Sequence, residues 1–389
     1  MKPSTIIRPV RALAALALSL AITVPRLRAD DKPSIQPADP EGPRIQLALL
    51  LDTSNSMDGL IDQAKTQLWK VVNTFIAAHK NGKVPHVEVA LYQYGNNGLS
   101  QEQNWIKQMQ PLTRDLDKVS EELFALKTNG GEEYCGAVIT RAVEDLAWDK
   151  DPNTYKAIFI AGNEPFTQGK VDPQKACKLA ASHGVVVNTI HCGSESEGIS
   201  GGWKAGALAA DGSFLIIDSN KTVVSIPAPQ DAEIVKLNEE LNKTYVAYGA
   251  KAEAGAKNQQ AQDANASSFA SGGAAVQRAV TKASANYHNS SWDLVDASKE
   301  KGFDIEKVLA ADLPENLRSM DNATRKAFLD QKDKERSGLQ KQILELNKQR
   351  DTFVAEKRRA SAGDKDDTLD AAMTRTVRKQ AAMKGYSFE

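Results

Sequence analysis

Three oxygen-bearing side chains follow one apolar run of the sequence at alternate positions. They are Asp52, Ser54 and Ser56 in the segment LALLLDTSNSM, residues 47–57. A carboxylate and two hydroxyls that converge at one turn suit a hard divalent cation such as Mg2+. The same residue types also cap helices, because their oxygens accept hydrogen bonds from the first backbone N–H groups. Three such side chains exceed what one cap needs, which favours a metal site.

The apolar run before Asp52 predicts the strand that positions these side chains. Leu47–Leu51 shows no polar alternation, which is typical of a central parallel strand buried on both faces. Strand and helix signals then alternate to residue 218. This order predicts an α/β fold with a Rossmann-like, doubly wound, mostly parallel sheet, followed by a mainly helical C-terminal region. Open sheets of this kind bind ligands at the carboxyl ends of their strands, and Asp52 lies at such an end.

The D-x-S-x-S pattern directly after a buried strand resembles the metal-ion-dependent adhesion site of von Willebrand factor type A domains. The resemblance covers roughly residues 43–220. It implies a cation site at which a partner protein supplies a carboxylate. In that family a Thr from a second loop joins the two Ser hydroxyls. Here that loop is LKTNGGEEY, residues 126–134, in which Thr128 is the match. Glu132 or Glu133 could reach the ion instead, or both could simply favour the N-terminus of the next helix.

Gly162 departs from the family pattern, which closes the site with an Asp after a later strand. The strand here ends IFIAGNEP, and Gly162 stands at the matching position. Mg2+ keeps several waters and is often held by one or two protein carboxylates. The loss of one carboxylate therefore weakens the predicted site without removing it. The predicted ligands of Mg2+, Mn2+ or Ca2+ are Asp52, Ser54, Ser56, Thr128 and Glu133.

Composition divides the 389-residue chain into segments. A net charge of −1 from 49 basic and 50 acidic residues produces no global field that would attract nucleic acid. A basic N-terminal stretch before the apolar Leu13–Val24 predicts a signal peptide, with an uncleaved anchor as the alternative. The predicted segments are a signal peptide (1–29), a flexible lead-in (30–43), a type A domain (44–226), a helical, coiled-coil-like region (227–360) and a disordered tail (361–389).

The signal peptide predicts a periplasmic, secreted or cell-surface protein whose mature chain has no transmembrane segment. The segments LFALKTNGGEEYCGAV and IFIAGNEPFTQG also resemble a subgroup of exported bacterial type A-domain proteins. In an oxidising compartment, two of the three cysteines can pair and leave one thiol. Three small buried apolar side chains explain them equally well. The residues are Cys135, Cys177 and Cys192.

Three hypotheses about function follow. The first is a non-enzymatic module that binds a carboxylate-bearing protein partner through a divalent cation. The second is a metal-independent structural protein that forms homo-oligomers through C-terminal helices, because an apolar stripe runs along Leu339, Ile343, Leu346 and Phe353. The third is a hydrolase that uses Glu132, Glu133 and Cys135. No H-E-x-x-H or G-x-S-x-G motif accompanies them, and we expect no enzymatic activity.

Overall fold

Strands and helices alternate in the first half of the chain, and helices dominate the second half. The computed structural model describes residues 42–218, 225–268, 273–360 and 369–388, with only the helical backbone for 369–372. The strands are β1 (Arg44–Asp52), β2 (Ala78–His79), β3 (His86–Tyr94), β4 (Ile106–Thr113), β5 (Tyr155–Gly162), β6 (Val186–Cys192), β7 (Phe214–Ile217) and β8 (Ser387–Phe388). The helices are α1 (Asp58–Asn73), α2 (Leu116–Ala125), α3 (Cys135–Asp145), α4 (Pro173–Ser182), α5 (Glu195–Ser200), α6 (Trp203–Leu208), α7 (Asp231–Asn242), α8 (Ala252–Ser268), α9 (Gly273–Lys282), α10 (Leu294–Ala297), α11 (Glu315–Arg318), α12 (Asn322–Ala360) and α13 (Leu369–Met383).

Six strands form one sheet in the order β4-β3-β1-β5-β6-β7. All neighbours pair in parallel except β4, which lies antiparallel to β3 at the edge. β1 is central, and every residue in it after Arg44 is buried. A strand covered on both faces must be apolar throughout, which is why its sequence lacks alternation. The predicted doubly wound, mostly parallel sheet is confirmed.

Helices cover both faces of this sheet. α1, α2 and α13 pack against one face, where Trp69, Leu123 and Val377 share a core with Phe159. α3, α4 and α6 pack against the other face, where Trp203 lies over Ile158 and Val187 in a second core. The two cores hold the strands rigidly, so that the loops at the carboxyl ends of β1, β3 and β5 have fixed positions.

The C-terminal segment corrects the predicted disordered tail. Within residues 369–388, α13 buries Met373, Val377 and Ala381 in the core beside α1, and β8 pairs antiparallel with β2. The buried phenol of Tyr155 donates a hydrogen bond to Gln380 Oε1 at 2.7 Å. Three apolar residues at four-residue spacing form one narrow helical stripe, which the basic and polar composition of the segment had masked. Residues 361–368 lie outside the described residues.

The helical region is not a separate domain, and most of its apolar stripe packs against helices of the same chain. The described residues all belong to one compact unit, so the predicted boundary at 226/227 does not separate two units. α12 packs against α7 and α9, and Leu339, Ile343 and Leu346 join a core with Leu241. Three of the four residues of the heptad-like stripe are therefore used within the chain, whereas Phe353 lies outside this core and is partly exposed.

A buried ionic cluster joins the helical region to the sheet-bearing part. Arg278 of α9 donates from Nη1 to Asp117 Oδ1 of α2 at 2.6 Å and from Nε to Asp263 Oδ1 at 2.5 Å. Tyr287 donates to the other oxygen of Asp117 at 2.5 Å. Burial opposes ionisation of Asp263, but Arg278 and Lys282 outweigh it and lower its pKa to about 2.

The predictions for the cysteines and the chain ends have different outcomes. Cys135, Cys177 and Cys192 are buried and unpaired, in agreement with three small apolar side chains and not with a disulfide. Between residues 42 and 388, no described helix is both long enough and apolar enough to cross a membrane. The predicted signal peptide, residues 1–29, and all but the end of the lead-in lie outside the described residues.

Candidate functional site

The turn after β1 arranges the D-x-S-x-S residues. Asp52 is fully buried, and its Oδ1 accepts the backbone N–H of Ser54 at 2.8 Å. This bond folds the chain back into a short 3-10 turn, Asn55–Met57, which leads into α1. The hydroxyl oxygens of Ser54 and Ser56 then lie 3.3 Å apart. Local hydrogen bonding thus places both hydroxyls at the carboxyl edge of the sheet, as the motif predicts.

A third oxygen comes from the loop after β5. Ser56 Oγ donates to Asn163 Oδ1 at 3.3 Å. We did not predict Asn163 as a site residue. Its signal in the sequence is that it is the first polar side chain after a buried strand, at the edge where Asp52 lies. The adhesion-site pattern drew attention to Gly162 instead.

The loop of residues 126–134 is fastened to the turns after β1 and β3. The N–H of Asn129 donates to the carbonyl of Thr53 at 2.9 Å, and the N–H of Asn97 donates to the carbonyl of Gly130 at 2.6 Å. The Asn96 amide also donates to the carbonyls of Thr53 and Lys127, at 3.3 and 2.8 Å. Two backbone bonds and the side-chain amide of Asn96 therefore hold the three loops together.

Thr128 lies in that loop, but it does not bond to the serines. Its hydroxyl donates to the carboxylate of Asp58, the first residue of α1. Thr128 is only partly buried, and Asp58 is exposed. The hydroxyl of Thr128 is therefore directed to the start of α1 and not to the hydroxyls of Ser54 and Ser56.

Asp52 and Glu133 both lie against Gly95. A Cβ atom on Gly95 would lie 2.8 Å from Asp52 Oδ1 and 2.8 Å from Glu133 Cγ. Gly95 also has a φ of +74°, a backbone conformation that favours glycine. Gly95 thus lets two carboxyl side chains approach each other from β1 and from the start of α3. Of the two neighbouring glutamates, Glu133 is the buried one, with 6% of its surface exposed.

Burial and mutual repulsion raise the pKa values of both carboxyls more than their hydrogen bonds lower them. Burial is the largest cause that raises the pKa of Asp52 to about 7, and the charges of Glu133 and Glu164 add to it. Burial likewise raises the pKa of Glu133 to about 7, with further contributions from Glu164 and Glu132. Hydrogen bonds from Ser54 act in the opposite direction on Asp52 but do not outweigh burial.

Gly162 has a steric reason to be glycine. A Cβ atom there would lie 2.7 Å from the hydroxyl of Tyr94 and 3.0 Å from Asp52 Oδ2. Tyr94 is fully buried, and its hydroxyl donates to the carbonyl of Ala161 at 2.9 Å. The phenol of Tyr94 therefore occupies the space that the family's closing Asp would enter. No pattern in the sequence predicts that Tyr94, at the end of β3, reaches this position.

A cation fits the chemistry of this site. Asp52 Oδ2 is buried and has no hydrogen-bond partner among the described residues, and a buried polar atom without a partner is costly. A cation beside it would satisfy the oxygen and favour the charged carboxylate. The described part of the chain holds no group of three or more His, Cys, Asp or Glu suited to a metal. Hydroxyl, amide and water oxygens would therefore complete the coordination.

The residues of the hydrolase hypothesis have divergent surroundings. Glu132 is exposed, and its Oε2 accepts from Gln168 Nε2 at 3.4 Å, whereas Glu133 is buried. Cys135 is buried, and burial raises the pKa of its thiol far above the usual value. A thiol of this kind stays protonated and is a poor nucleophile. The geometry therefore offers no acid–base pair around an activated Cys135.

The chain matches a known family model and is similar to several solved structures. Residues 46–198 match the family model of the von Willebrand factor type A domain, and a search of curated proteins finds no match. Among solved structures, the chain is similar to conserved hypothetical protein BatB from Bacteroides thetaiotaomicron, at 15% identity over 45% of this chain and 90% of that one, with a TM-score of 0.34. It is similar to the SpRpn10 VWA domain, at 16% identity over 47% of this chain and 100% of that one, with a TM-score of 0.34.

A third similar structure comes from the mussel byssus. It is proximal thread matrix protein 1, at 12% identity over 45% of this chain, with a TM-score of 0.32. The chain spans only 41% of the length of that protein. The family match covers the segment in which β1 carries the D-x-S-x-S turn. This chain contains a von Willebrand factor type A domain, and the resemblance inferred from the sequence is confirmed.

Proposed function

We propose that the protein is a non-enzymatic module that binds a protein partner through a divalent cation, Mg2+ or alternatively Mn2+ or Ca2+. Asp52, Ser54 and Ser56 would hold the ion, and Asn163 and Glu133 lie close enough to these residues to assist. When bound, the ion would supply positive charge at which a carboxylate of the partner completes the coordination. The single observation that carries this proposal is the buried Asp52 Oδ2 without a hydrogen-bond partner.

The electrostatics of the site support the same proposal. Asp52 and Glu133 both have a pKa of about 7, because burial disfavours their charged forms. A divalent cation favours the charged form of a nearby carboxylate. The ion would therefore stabilise the charged forms of Asp52 and Glu133, which burial otherwise disfavours. Perturbed carboxyls at the carboxyl edge of an open sheet are typical of a functional site.

We further propose that the protein acts outside the cytoplasm, in the periplasm or at the cell surface. This rests on the signal-peptide pattern of residues 1–29 and not on the structure, which does not describe them. The alternative of assembly through C-terminal helices is less well supported. Leu339, Ile343 and Leu346 are packed within the chain, so three of the four residues of the stripe that suggested assembly already contact neighbouring helices.

Thermal unfolding of the mature chain in EDTA and with Mg2+, Mn2+ or Ca2+ tests the cation site. A ligand at a hundredfold excess over its dissociation constant stabilises the folded state by about 2.7 kcal/mol. We therefore expect an ion-dependent rise in Tm at millimolar ion for the wild type and none for Asp52→Ala. Asp149→Asn is the matched control, since Asp149 precedes β5 at the opposite edge of the sheet and should keep the response.

Two outcomes would contradict the proposal. One is an absence of both heat in isothermal titration and any change in Tm with all three ions. The other is an ion response that Asp52→Ala retains, which would place the cation elsewhere. A screen of the wild type for hydrolytic activity completes the test. An activity that Glu133→Gln abolishes would favour the hydrolase hypothesis over the binding function.

A further inference from the structure

Trp105 adopts a strained backbone conformation at the rim of the site. Asn104 and Trp105 have φ values of +55° and +53°, a left-handed region that bulky side chains rarely adopt. Two backbone hydrogen bonds hold Trp105 there: its N–H donates to the carbonyl of Ser100 at 3.0 Å, and its carbonyl accepts from Gly95 at 3.1 Å. Strained residues of this kind concentrate at functional sites.

The strained position sets the indole of Trp105 against Tyr134. The ring centroids lie 5.4 Å apart, and the ring planes meet at 83°. Gly169, with a φ of +92°, also packs closely against Tyr134, since a Cβ atom there would lie 2.7 Å from the ring. Both aromatic residues are partly exposed. Tyr134 directly follows Glu133, and Trp105 is bonded to Gly95, so the aromatic pair borders the two buried carboxyls.

Charge at this rim is strongly negative. Asp52, Glu133 and Glu164 repel one another, and Glu132 adds to the repulsion on Glu133. Two exposed lysines, Lys127 and Lys170, lie in the same loops. A divalent cation balances only two of the four negative charges, and a carboxylate from a partner adds another. A partner that binds here must therefore bring positive charge as well.

We infer that Trp105 and Tyr134 form, with Glu132, a second subsite that receives a lysine or arginine side chain of the protein partner. A cation over an aromatic face is attracted by the ring, Trp being the best such face, and Glu132, two residues before Tyr134, supplies an exposed carboxylate. The partner segment would thus carry an acidic residue and, close to it, a basic one. This inference rests on the proposed function, because the acidic residue is held by the cation of the first site.

Binding of short blocked peptides to the mature chain tests the second subsite. Each probe contains one Asp and one Lys that are one, two or three residues apart, in either order. The matched control probes carry Gln in place of Lys. With Mg2+, we expect the best Lys peptide to bind about 3- to 30-fold more tightly than its Gln counterpart, the range for a cation over an aromatic ring. The measurement is biolayer interferometry with Mg2+ and with EDTA.

Variants separate the subsite from the cation site. Trp105→Ala should reduce the Lys-to-Gln affinity ratio to about one and leave the Gln peptide within about twofold, whereas Trp105→Phe should keep most of the ratio. Glu132→Gln should lower the ratio in part. If Trp105→Ala does not fold, Trp105→Gly replaces it, because glycine accepts a φ of +53° without strain.

The outcomes distinguish the two proposals. Mg2+-dependent binding of Lys and Gln peptides with equal affinity would overturn the second subsite and leave the cation function standing. A ratio that survives in Trp105→Ala would do the same. If no peptide binds at millimolar concentration with Mg2+, the carboxylate-binding function fails and the second subsite fails with it.

Discussion

Asp52 and Gly162 face each other across neighbouring strands, with Asp52 Oδ2 only 3.0 Å from where a Cβ atom would stand on Gly162. β1 and β5 pair in parallel up to Leu51 and Ala161, so their next residues meet at the carboxyl edge of the sheet. The Tyr94 hydroxyl lies even closer to that Cβ position, at 2.7 Å. The departure from the adhesion-site pattern is therefore a packing requirement, and not only a missing ligand.

Restoring the family residue at this position should not restore the family site. Gly162→Asp would press its Cβ against Tyr94 and add a third carboxyl to a pair that already repels. We expect a loss of stability of about 1–3 kcal/mol, as for other overpacked cores, and no gain in Mg2+ affinity. Denaturant unfolding and isothermal titration would measure the two quantities.

A second substitution should relieve that effect. Tyr94→Phe removes the hydroxyl that lies nearest to the new Cβ, at the cost of one hydrogen bond to Ala161. The double variant Gly162→Asp with Tyr94→Phe should therefore be less destabilised than the sum of the single variants. Gly162→Ala separates the steric effect from the charge. Tight Mg2+ binding by Gly162→Asp alone would show that Tyr94 moves aside easily.

The stability of the ion-free protein should fall as the pH rises from about 4 to about 7. In this window the folded state binds more protons, because the pKa values of Asp52 and Glu133 are about 7 when folded and 3.8 and 4.5 when unfolded. Stability falls with pH wherever the folded state holds more protons. One pKa unit corresponds to about 1.4 kcal/mol, so Asp52 alone contributes at most roughly 4 kcal/mol.

Thermal unfolding in EDTA from pH 4 to pH 8 measures this dependence. Asp52→Asn should reduce the dependence of Tm on pH in part, and adding Glu133→Gln should reduce it further. Mg2+ competes with these protons, so its stabilising effect should be larger at pH 8 than at pH 5. A wild-type curve that Asp52→Asn leaves unchanged would show that Asp52 is charged at neutral pH without an ion.

Removal of the C-terminal segment should prevent the type A domain from folding. A chain that ends at residue 360 lacks α13 and β8, and it exposes the core around Trp69 and Phe159. Met373→Ala, the milder test, should cost about 2–5 kcal/mol of unfolding free energy, the usual loss for a buried Met. Urea unfolding followed by circular dichroism would measure it.

The control for the truncation is a variant that keeps the segment. Tyr386→Phe keeps the ring and loses the hydrogen bond from its hydroxyl to the carbonyl of Arg44, and a hydrogen bond of this kind contributes about 1 kcal/mol. A soluble, cooperatively unfolding chain without residues 361–389 would instead show that the rest of the protein folds without α13 and β8.

Arg278 should be the most sensitive contact between the helical region and the sheet. Arg278→Met leaves Asp117 and Asp263 with no guanidinium partner, and loss of one member of a buried pair costs about 3–5 kcal/mol. Glu121→Gln is the surface control, because Glu121 forms only an exposed pair with Lys118. Equal losses for both variants, measured in urea, would show that the buried cluster is not a specific anchor.

The site was only partly predictable from the sequence. Asp52, Ser54 and Ser56 could be found because a local turn arranges them, and their spacing records that turn. Glu133 was one of two adjacent glutamates, and only Gly95 explains why it is the one directed to Asp52. The left-handed conformation of Trp105 leaves no pattern in the sequence, because it depends on backbone hydrogen bonds with Ser100 and Gly95.

The sequence by itself determined the α/β fold and the strand–turn–helix start of the site. Burial of β1 on both faces requires apolar residue types, and the local hydrogen bonds of the turn require polar residues at a fixed spacing. The tertiary structure alone decided that α13 returns to the sheet, that Thr128 bonds to Asp58, and that Tyr94 fills the space beside Gly162. Each of these depends on contacts between residues far apart in the chain. Such contacts are set by packing, which leaves no periodic signal in the sequence.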